Sequence, residues 1–499
     1  MNTIRFISVL LLAALAAYAA AYSNGHMIVP IAAWIAPALL LRVTRSQPPL
    51  LGFIIALAVM TPAWLFQWSD VFRLHGLMIY LSAVTMCAIS ITPYLVDRLI
   101  IRRLPHYAAM FVFPSAMVVM EWAFTLISPF GSWGASAYSQ SDFAWLIQSA
   151  SLGGMWIVSF IIAWFASAVN TAYELRLTPK RALVPLAAFA GVFLIIIGAG
   201  AWRLSSARAD SNAPVAIALP QFRNNANYNL DYSAQIRAFM FAQTDALAHS
   251  GAQLIVWPED SLAVAAADEE GFLAQARELA QRDHAAIALS YTLRLTPASL
   301  RYLNKNVLID AQGAIAWRYN KAFAVPGYEA RNMTEGDAKI ASAALPMGTV
   351  QGAICFDIDH RAIMRQLDDK AVLLLAPSDD WPAIVDLHAR MVRMRAVEYG
   401  VPILRPTING VSIAFDAYGR IAAALSANTS AHTLKIAMPV GSIDAPYAHI
   451  GDLFAWLCIA AVLLLGLVSI LPKRNAAFTP APNAPADAAA AQLADNPSP

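Results

Sequence analysis

Cys355 ends a strand-like apolar run, Gly352-Ala353-Ile354-Cys355-Phe356-Asp357, and of the three cysteines it alone lies outside the strongly apolar stretches. Upstream stand Trp257-Pro258-Glu259, closing another apolar run, and Tyr319-Asn320-Lys321, ahead of the turn Val325-Pro326-Gly327-Tyr328-Glu329. Glu259, Lys321 and Cys355 would supply a base, a cation and a nucleophile. Sulfur attacks a carbonyl as thiolate, so it needs a base for its proton and a positive group near the oxygen that becomes charged. Together the three predict acyl transfer through a thioester. Each alone predicts less, because an isolated cysteine in a strand is ordinarily a small buried hydrophobe and an isolated lysine is solvated.

Other chemistries find less support. His284, His360 and His388 lack paired ligand spacing, and Asp357-Ile358-Asp359-His360 is too compact to be a metal site by itself, so no metal is expected. No glycine-rich phosphate loop follows a strand, so no nucleotide cofactor is expected either. A net charge of +2, with arginines set beside apolar segments, gives no footing for nucleic acid. Cys87 and Cys458 fall inside apolar runs, which leaves Cys355 without a disulfide partner in its own domain.

The elements that must position these residues divide the chain sharply. Across 499 residues, 59% are hydrophobic and only 13% charged, a balance that excludes an ordinary soluble protein. Eight apolar segments approach the ~20 residues needed to cross a bilayer: Phe6–Tyr22, Met27–Leu41, Leu50–Trp68, Leu74–Leu95, Ala108–Ser128, Gly153–Ala172, Leu183–Leu204 and Ile450–Leu471. The first is expected to stay as an uncleaved helix, since no small-x-small site precedes a polar start. With eight crossings, Arg5, Arg42, Arg45, Arg98, Arg102, Arg103, Arg176, Lys180, Arg181, Lys473 and Arg474 share one side, and the alternate loops carry almost only Arg73. The positive-inside rule then puts both termini in the cytoplasm and the long segment beginning near Ser205 on the opposite side, periplasmic or extracellular.

The expected organisation is a seven-helix membrane region over 1–204, an α/β catalytic domain over 205–448, a last membrane helix over 449–472 and a disordered Ala/Pro-rich tail over 473–499. Within the domain, 215–219, 254–257, 286–289 and 371–375 read as buried strands, and 271–283 and 387–399 as helices. Chemistry is expected at strand ends of such a layered domain.

Trp257-Pro258-Glu259, Tyr319-Asn320-Lys321 and Ile354-Cys355 resemble the motifs of the nitrilase, or carbon-nitrogen hydrolase, superfamily. With Glu121-Trp122, the loop ending Tyr138-Ser139-Gln140, Gln148, Gly153-Gly154 and Ser159-Phe160, the chain is similar to the membrane-bound branch, the apolipoprotein N-acyltransferases. Arg393-Met394-Arg395-Ala396-Val397-Glu398 and Arg405-Pro406-Thr407-Ile408-Asn409-Gly410 extend the likeness, which spans about 108–471. The resemblance implies a four-layer α-β-β-α sandwich on a helical membrane base. It implies Glu259 as general base, Lys321 as oxyanion stabiliser with the backbone N–H of Phe356, Cys355 as acyl carrier and Glu329 as a positioning glutamate. It further implies a phospholipid acyl donor, a lipidated apolipoprotein acceptor, a bacterial inner-membrane location and no cofactor. A monomer is expected.

Around these residues the family pattern changes. Tyr-Glu after the nucleophile is Phe356-Asp357 here, Val-Pro-Phe-Gly-Glu is Val325-Pro326-Gly327-Tyr328-Glu329, and the Ser-Asn-Asp-x-Trp-Phe loop is shortened to Ser378-Asp379-Asp380-Trp381-Pro382. The opening Gln-Gly-Asn is Gln221-Phe222-Arg223. Tyr328, Asp357 and Trp381 are therefore candidates for the substrate wall, and Phe323, Val325, Trp381 and Ile384 for a lipid channel beside it, with ordinary core packing the alternative for each. A membrane-tethered amidase, or transfer to a different amine, uses the same three residues and is the competing reading, as is a catalytically silent scaffold.

Overall fold

A computed structural model describes residues 3–207, 211–221, 229–296, 300–426 and 429–471. The expected tail, Lys473, Arg474, Phe222 and Arg223 lie outside the described residues. Among the described residues, two mixed sheets and a short parallel pair, Ser378–Asp379 with Thr407–Ile408, form the α/β domain. The first runs in the order Thr433–Pro439, Asn212–Ala218, Leu254–Val256, Ala286–Arg294, Tyr302–Ile309, Ile315–Asn320, with Ala263–Ala265 also paired to Ala286–Arg294. The second runs Ile421–Leu425, Ser412–Phe415, Ile403–Arg405, Ala371–Leu375, Gly348–Gly352, Ala341–Leu345. In each, three parallel strands sit together, namely 212–218, 254–256 and 286–294, and 348–352, 371–375 and 403–405.

Strand periodicity explains the layering. Val215, Ile217, Leu254 and Val256 join the core that holds Leu373, Leu375 and Leu404 of the second sheet. Their alternates Ala216, Ala218, Ile255 and Trp257 face helices Ser233–His249 and Glu269–Asp283 through Ile236, Met240, Phe272 and Ala276. A strand buried on both faces needs apolar side chains at every position, which is why these strands read as unbroken apolar runs. Helix Val385–Tyr399 packs on the second sheet's side with Met391, Val392 and Met394 buried. The result is the four-layer sandwich.

Among the described residues, six helical segments are long and apolar enough to cross a membrane: Pro49–Phe72, Leu77–Arg103, His106–Ile127, Met155–Glu174, Pro179–Ser205 and Leu453–Ile470. The first two expected crossings differ in form. Helix Thr3–Ala21 is followed by turns, and the next helix, Ala32–Arg45, has 14 residues and starts beyond Pro30, later than the expected Met27.

The cationic ends of the helices meet at one end of the base. The Arg45 guanidinium binds both oxygens of Asp97 at 2.7 and 2.8 Å, Arg42 and Arg45 approach Glu174 at 3.9 and 3.5 Å, and Arg98 donates to the Gln47 carbonyl at 2.7 Å. The α/β domain sits on the opposite end, where helix Pro49–Phe72 finishes: the Trp381 indole donates to the Asp70 carbonyl at 3.1 Å.

Between helices Val112–Ile127 and Met155–Glu174 the chain makes only short helical turns, and these form the seat of the domain. Irregular backbone at such a depth persists only where protein satisfies its polar groups. Glu121 accepts from the Ser136 N–H at 3.0 Å and the Ser159 hydroxyl at 2.6 Å, so it anchors this loop. From the domain side, Arg395 pairs with Glu398 and donates to the Ser132 and Tyr138 hydroxyls at 2.7 and 2.9 Å, and Glu398 caps the Met155 N–H at 2.7 Å. The Arg393–Glu398 segment is thus a joint between base and domain.

Candidate active site

Glu259, Lys321 and Cys355 lie just past the carboxyl ends of strands Leu254–Val256, Ile315–Asn320 and Gly348–Gly352. Lys321 Nζ donates to Glu259 Oε1 at 2.8 Å and to the Glu329 carboxylate at 2.8 Å, with the lysine and Glu259 side chains 1% and 2% exposed. Glu259 is fixed further by the Asn304 amide on Oε1 and the Asp379 N–H on Oε2, both at 2.7 Å. Glu329 is fixed by the Val325 N–H at 2.8 Å. A lysine ammonium between two carboxylates, out of water, leaves none of the three free to rotate.

The expected strand end at Cys355 takes a different form. The strand stops at Gly352, the pairing continues only through Ala353 N–H to Leu375 O at 3.1 Å and Cys355 N–H to Pro377 O at 2.9 Å, and Cys355 then opens the 3-10 turn Cys355–Asp359. Its φ is +47°, in the left-handed region that non-glycine residues rarely occupy. Such strain persists where surrounding contacts over-determine it, commonly at functional sites. The first N–H groups of the turn, Phe356 among them, have no acceptor within it.

Asp357 determines the turn's position and not the substrate wall expected of it. Fully buried, it accepts from the Tyr319 hydroxyl at 2.6 Å, the Phe323 N–H at 2.8 Å, the Ala322 N–H at 3.1 Å and the Ile354 N–H at 3.3 Å. It therefore laces the cysteine turn to the segment following Lys321. Val325 and Ile384 are core residues, and Phe323 stacks on His360 with ring centroids 3.9 Å apart. Tyr328 is 44% exposed, and Trp381, buried beneath it, has its ring centroid 6.2 Å from that of Tyr328.

Charge at the centre is set by burial and by the two acids around Lys321. Burial lowers the lysine's proton affinity, but Glu259, Glu329 and the cysteine more than offset it, so the pKa stands well above the usual value and the ammonium persists. Burial, then the charge of Glu259, pushes the Cys355 thiol well up, so it rests neutral. Burial raises Glu329 despite Lys321, and burial with the Glu259 charge raises Asp260, whose carboxylate accepts from the Thr292 hydroxyl.

Behind the cysteine lies a second buried polar group. Cys355 Sγ, an Asp380 oxygen and a His388 nitrogen fall within 4.8 Å of one another. Asp380 also accepts from Arg405 at 2.6 Å, and Asp359 accepts from the Trp133 indole at 2.7 Å with His388 Nε2 3.2 Å away. Burial opposes charge on all of them, but Arg405 and His388 hold Asp380 below the usual carboxylate value, and His388 holds Asp359 there too. Asp359 and Asp380 in turn raise His388 despite burial and the charge of Arg405. These acids already carry cations, as Glu259 and Glu329 carry Lys321.

Sequence reasoning missed Asn304, Asp260, His388 and Arg405 as neighbours of the centre. Asp260 carried a local signal, adjacency to Trp257-Pro258-Glu259, and Arg405 another, as the first residue of the Arg405–Gly410 motif. His284, by contrast, is exposed at the end of helix Glu269–Asp283.

The helical base holds a mostly apolar cavity of about 170 Å³ bounded by Trp64, Trp68, Phe72, Met117, Met120 and Trp133, with Asn24, Gln67, Glu121 and Ser132 among its polar walls. Trp133 presents its edge to Phe356, ring centroids 5.6 Å apart, so one wall of this cavity backs directly on the cysteine turn.

Residues 8–168 match the family described as "Apolipoprotein N-acyltransferase N-terminal domain", and residues 216–445 the family described as "Carbon-nitrogen hydrolase". The chain is 26% identical to the apolipoprotein N-acyltransferase of Bradyrhizobium diazoefficiens, over 82% of this chain and 81% of that one. It is 26% identical to that of Geobacter metallireducens, over 88% and 91%, and 29% identical to that of Azotobacter vinelandii, over 70% of each. Among solved structures, an amidase from Nesterenkonia sp. aligns with TM-score 0.40 and 15% identity, over 50% of this chain and 97% of that one.

Proposed function

This chain belongs to the apolipoprotein N-acyltransferase family, and on that footing we propose that it moves a fatty acyl group from a phospholipid, through a Cys355 thioester, to the α-amino group of a lipidated N-terminal cysteine on apolipoproteins. The observation that carries this reading is the position of the cysteine turn. It lies beside a buried lysine–glutamate pair and directly over an apolar cavity in a membrane base. A substrate held by its lipid anchor need not leave the bilayer to reach Cys355, whereas extracting a chain into water costs about 0.8 kcal/mol per CH2.

In the first half-reaction Glu259 takes the Sγ proton as sulfur attacks the ester carbonyl. Lys321 and the Phe356 N–H donate to the oxygen as it becomes negative; one such donor in a dry site is typically worth ~100- to 1000-fold in rate. The tetrahedral adduct collapses, the C–O bond to glycerol breaks, and Glu259 returns its proton to that oxygen. In the second, the acceptor amine attacks the thioester, Glu259 takes a proton from nitrogen, and sulfur leaves and recovers that proton. Glu329 keeps Lys321 in place through both. The neutral resting thiol suits this scheme, because proton transfer and attack then occur together next to a carboxylate already oriented by Asn304 and Asp379.

We assign residues 205–448 as the periplasmic catalytic domain, 1–204 and 449–472 as its inner-membrane base, 473–499 as a cytoplasmic tail and both termini to the cytoplasm. The gathering of Arg42, Arg45 and Arg98 at the end of the base away from the domain supports that orientation. We also assign a monomer, because Glu259, Lys321 and Cys355 come from one chain.

Intact-mass analysis of the purified protein in phospholipid micelles tests this, before and after addition of a diacylglyceryl-cysteine peptide and with Cys355→Ala alongside. The expected result is a Cys355-dependent acyl adduct that moves to the peptide amine. An adduct formed only from small amides, or discharged only to water, would overturn the transferase in favour of an amidase.

A further inference from the structure

Arg73 stands against the charge pattern of the membrane base. It closes helix Pro49–Phe72 as its C-cap, at φ +49°, in the short loop before helix Leu77–Ser90. That loop is at the end of the base that carries the catalytic domain, where few cations occur. The guanidinium is exposed, makes no ion pair among the described residues, and lies over two rings at once, 5.0 Å from the Tyr328 centroid and 5.1 Å from that of Trp381.

Those rings tie the loop to the catalytic centre. Tyr328 precedes Glu329, a partner of Lys321, and Trp381 follows Asp380, which lies against Cys355 Sγ. Trp381 also lies 6.0 Å from Trp133, ring to ring, and Trp133 touches Phe356. The Trp381 indole is itself pinned to the Asp70 carbonyl, so the aromatic platform and the arginine share one corner of the base. Phe72, the residue before Arg73, lines the apolar cavity.

A guanidinium set about 5 Å from two ring centroids is attracted by the rings through its charge, and rings accept little from its forked N–H donors, which suit a phosphate bound through two oxygens. The end of a membrane-spanning helix is also the depth at which lipid phosphates lie. We propose that Arg73, held by Tyr328 and Trp381, anchors the phosphate of the phospholipid acyl donor and so selects donors in the first half-reaction. This rests on the phospholipid-donor reading above. With the phosphate at Arg73, the glycerol unit spans the rim and the ester carbonyl turns inward toward Cys355. The amine acceptor gains nothing from a cation there, so the second half-reaction does not use it.

The test compares two donors with the same acyl ester, dioleoyl phosphatidylethanolamine and dioleoylglycerol, in detergent micelles with the full-length protein, following the rate of Cys355 acylation by intact mass. In the parent protein the phosphatide should acylate faster by roughly 10- to 100-fold, the worth of charge-assisted hydrogen bonds to one arginine. That ratio should collapse toward one in Arg73→Gln, and survive in part in Arg73→Lys, which keeps the charge but loses the fork. A merely structural role would lower both rates and leave the ratio intact, which overturns the proposal, as does an unchanged ratio with unchanged rates. Failure of the parent protein to acylate from either donor would instead overturn the transferase reading and this proposal with it.

Discussion

Replacing Asp357 by asparagine separates stability from activity in a way that follows from the group's surroundings. Burial pushes its pKa from 3.8 up to about 7, against the Tyr319 hydroxyl, the Lys321 charge and the neighbouring N–H groups, which favour the anion. A carboxyl whose folded pKa is raised binds its proton more tightly in the folded state. Its contribution to stability is complete below the unfolded value near 4 and is lost as pH rises through about 7. At 1.36 kcal/mol per pH unit, the loss between about pH 5.5 and pH 8 is ~2 kcal/mol. For a unit the size of the catalytic domain that is roughly 4 to 8 °C in Tm. Activity should run the other way. All four groups bonded to the Asp357 carboxylate are donors, so the ionised form holds the cysteine turn, and acylation should rise with pH through a midpoint near 7. Melting curves and single-turnover acylation from phospholipid, without amine acceptor, read both trends. In Asp357→Asn the Tm slope should flatten by that amount and the rate should lose its inflection. Parallel pH profiles in the two proteins would refute the reasoning.

Lys321→Met leaves the Glu259 and Glu329 carboxylates buried without their cation, and should destabilise the domain by about 3–5 kcal/mol while slowing acylation ~100- to 1000-fold. Adding Glu329→Gln should restore part of the Tm and none of the rate, and an unshifted Tm in the single variant would contradict the buried pairing. Arg395→Met should cost a similar ~3–5 kcal/mol, because it strands Glu398 and removes the donor that both the Ser132 and Tyr138 hydroxyls accept from at the joint between base and domain. Limited proteolysis should show faster cleavage there, and an unchanged digestion pattern would count against Arg395 as a joint.

Local patterns carried much of the architecture. Runs such as Val215–Leu219 and Ala371–Leu375 read correctly as buried strands because a strand covered on both faces cannot tolerate a polar residue. The helix expected over 387–399 is present as Val385–Tyr399. Where a local run met long-range pairing, the reading slipped: Ala353–Asp357 is apolar enough for a strand, yet Cys355 turns away because Asp357 is captured by Tyr319 and the N–H groups of Ala322 and Phe323. For Val325 and Ile384 the sequence left channel and core both open, since hydrophobicity alone does not say which side of a loop is filled, and the structure buries both in the core.

The sequence by itself determined what is periodic or bound by motif: an apolar membrane-spanning base, a doubly covered α/β domain, and a glutamate, lysine and cysteine placed just past strand ends. Each depends on residues near one another in the chain, and burial on a fixed period leaves a readable trace. Only the tertiary structure decided that Asn304 and Asp379 hold Glu259, that His388, Asp380 and Arg405 gather behind Cys355, and that Arg73 of the base lies across two rings of the α/β domain. Those contacts join residues tens to hundreds of positions apart, and a polar side chain at one end of such a contact leaves no periodic mark by which its partner could be found.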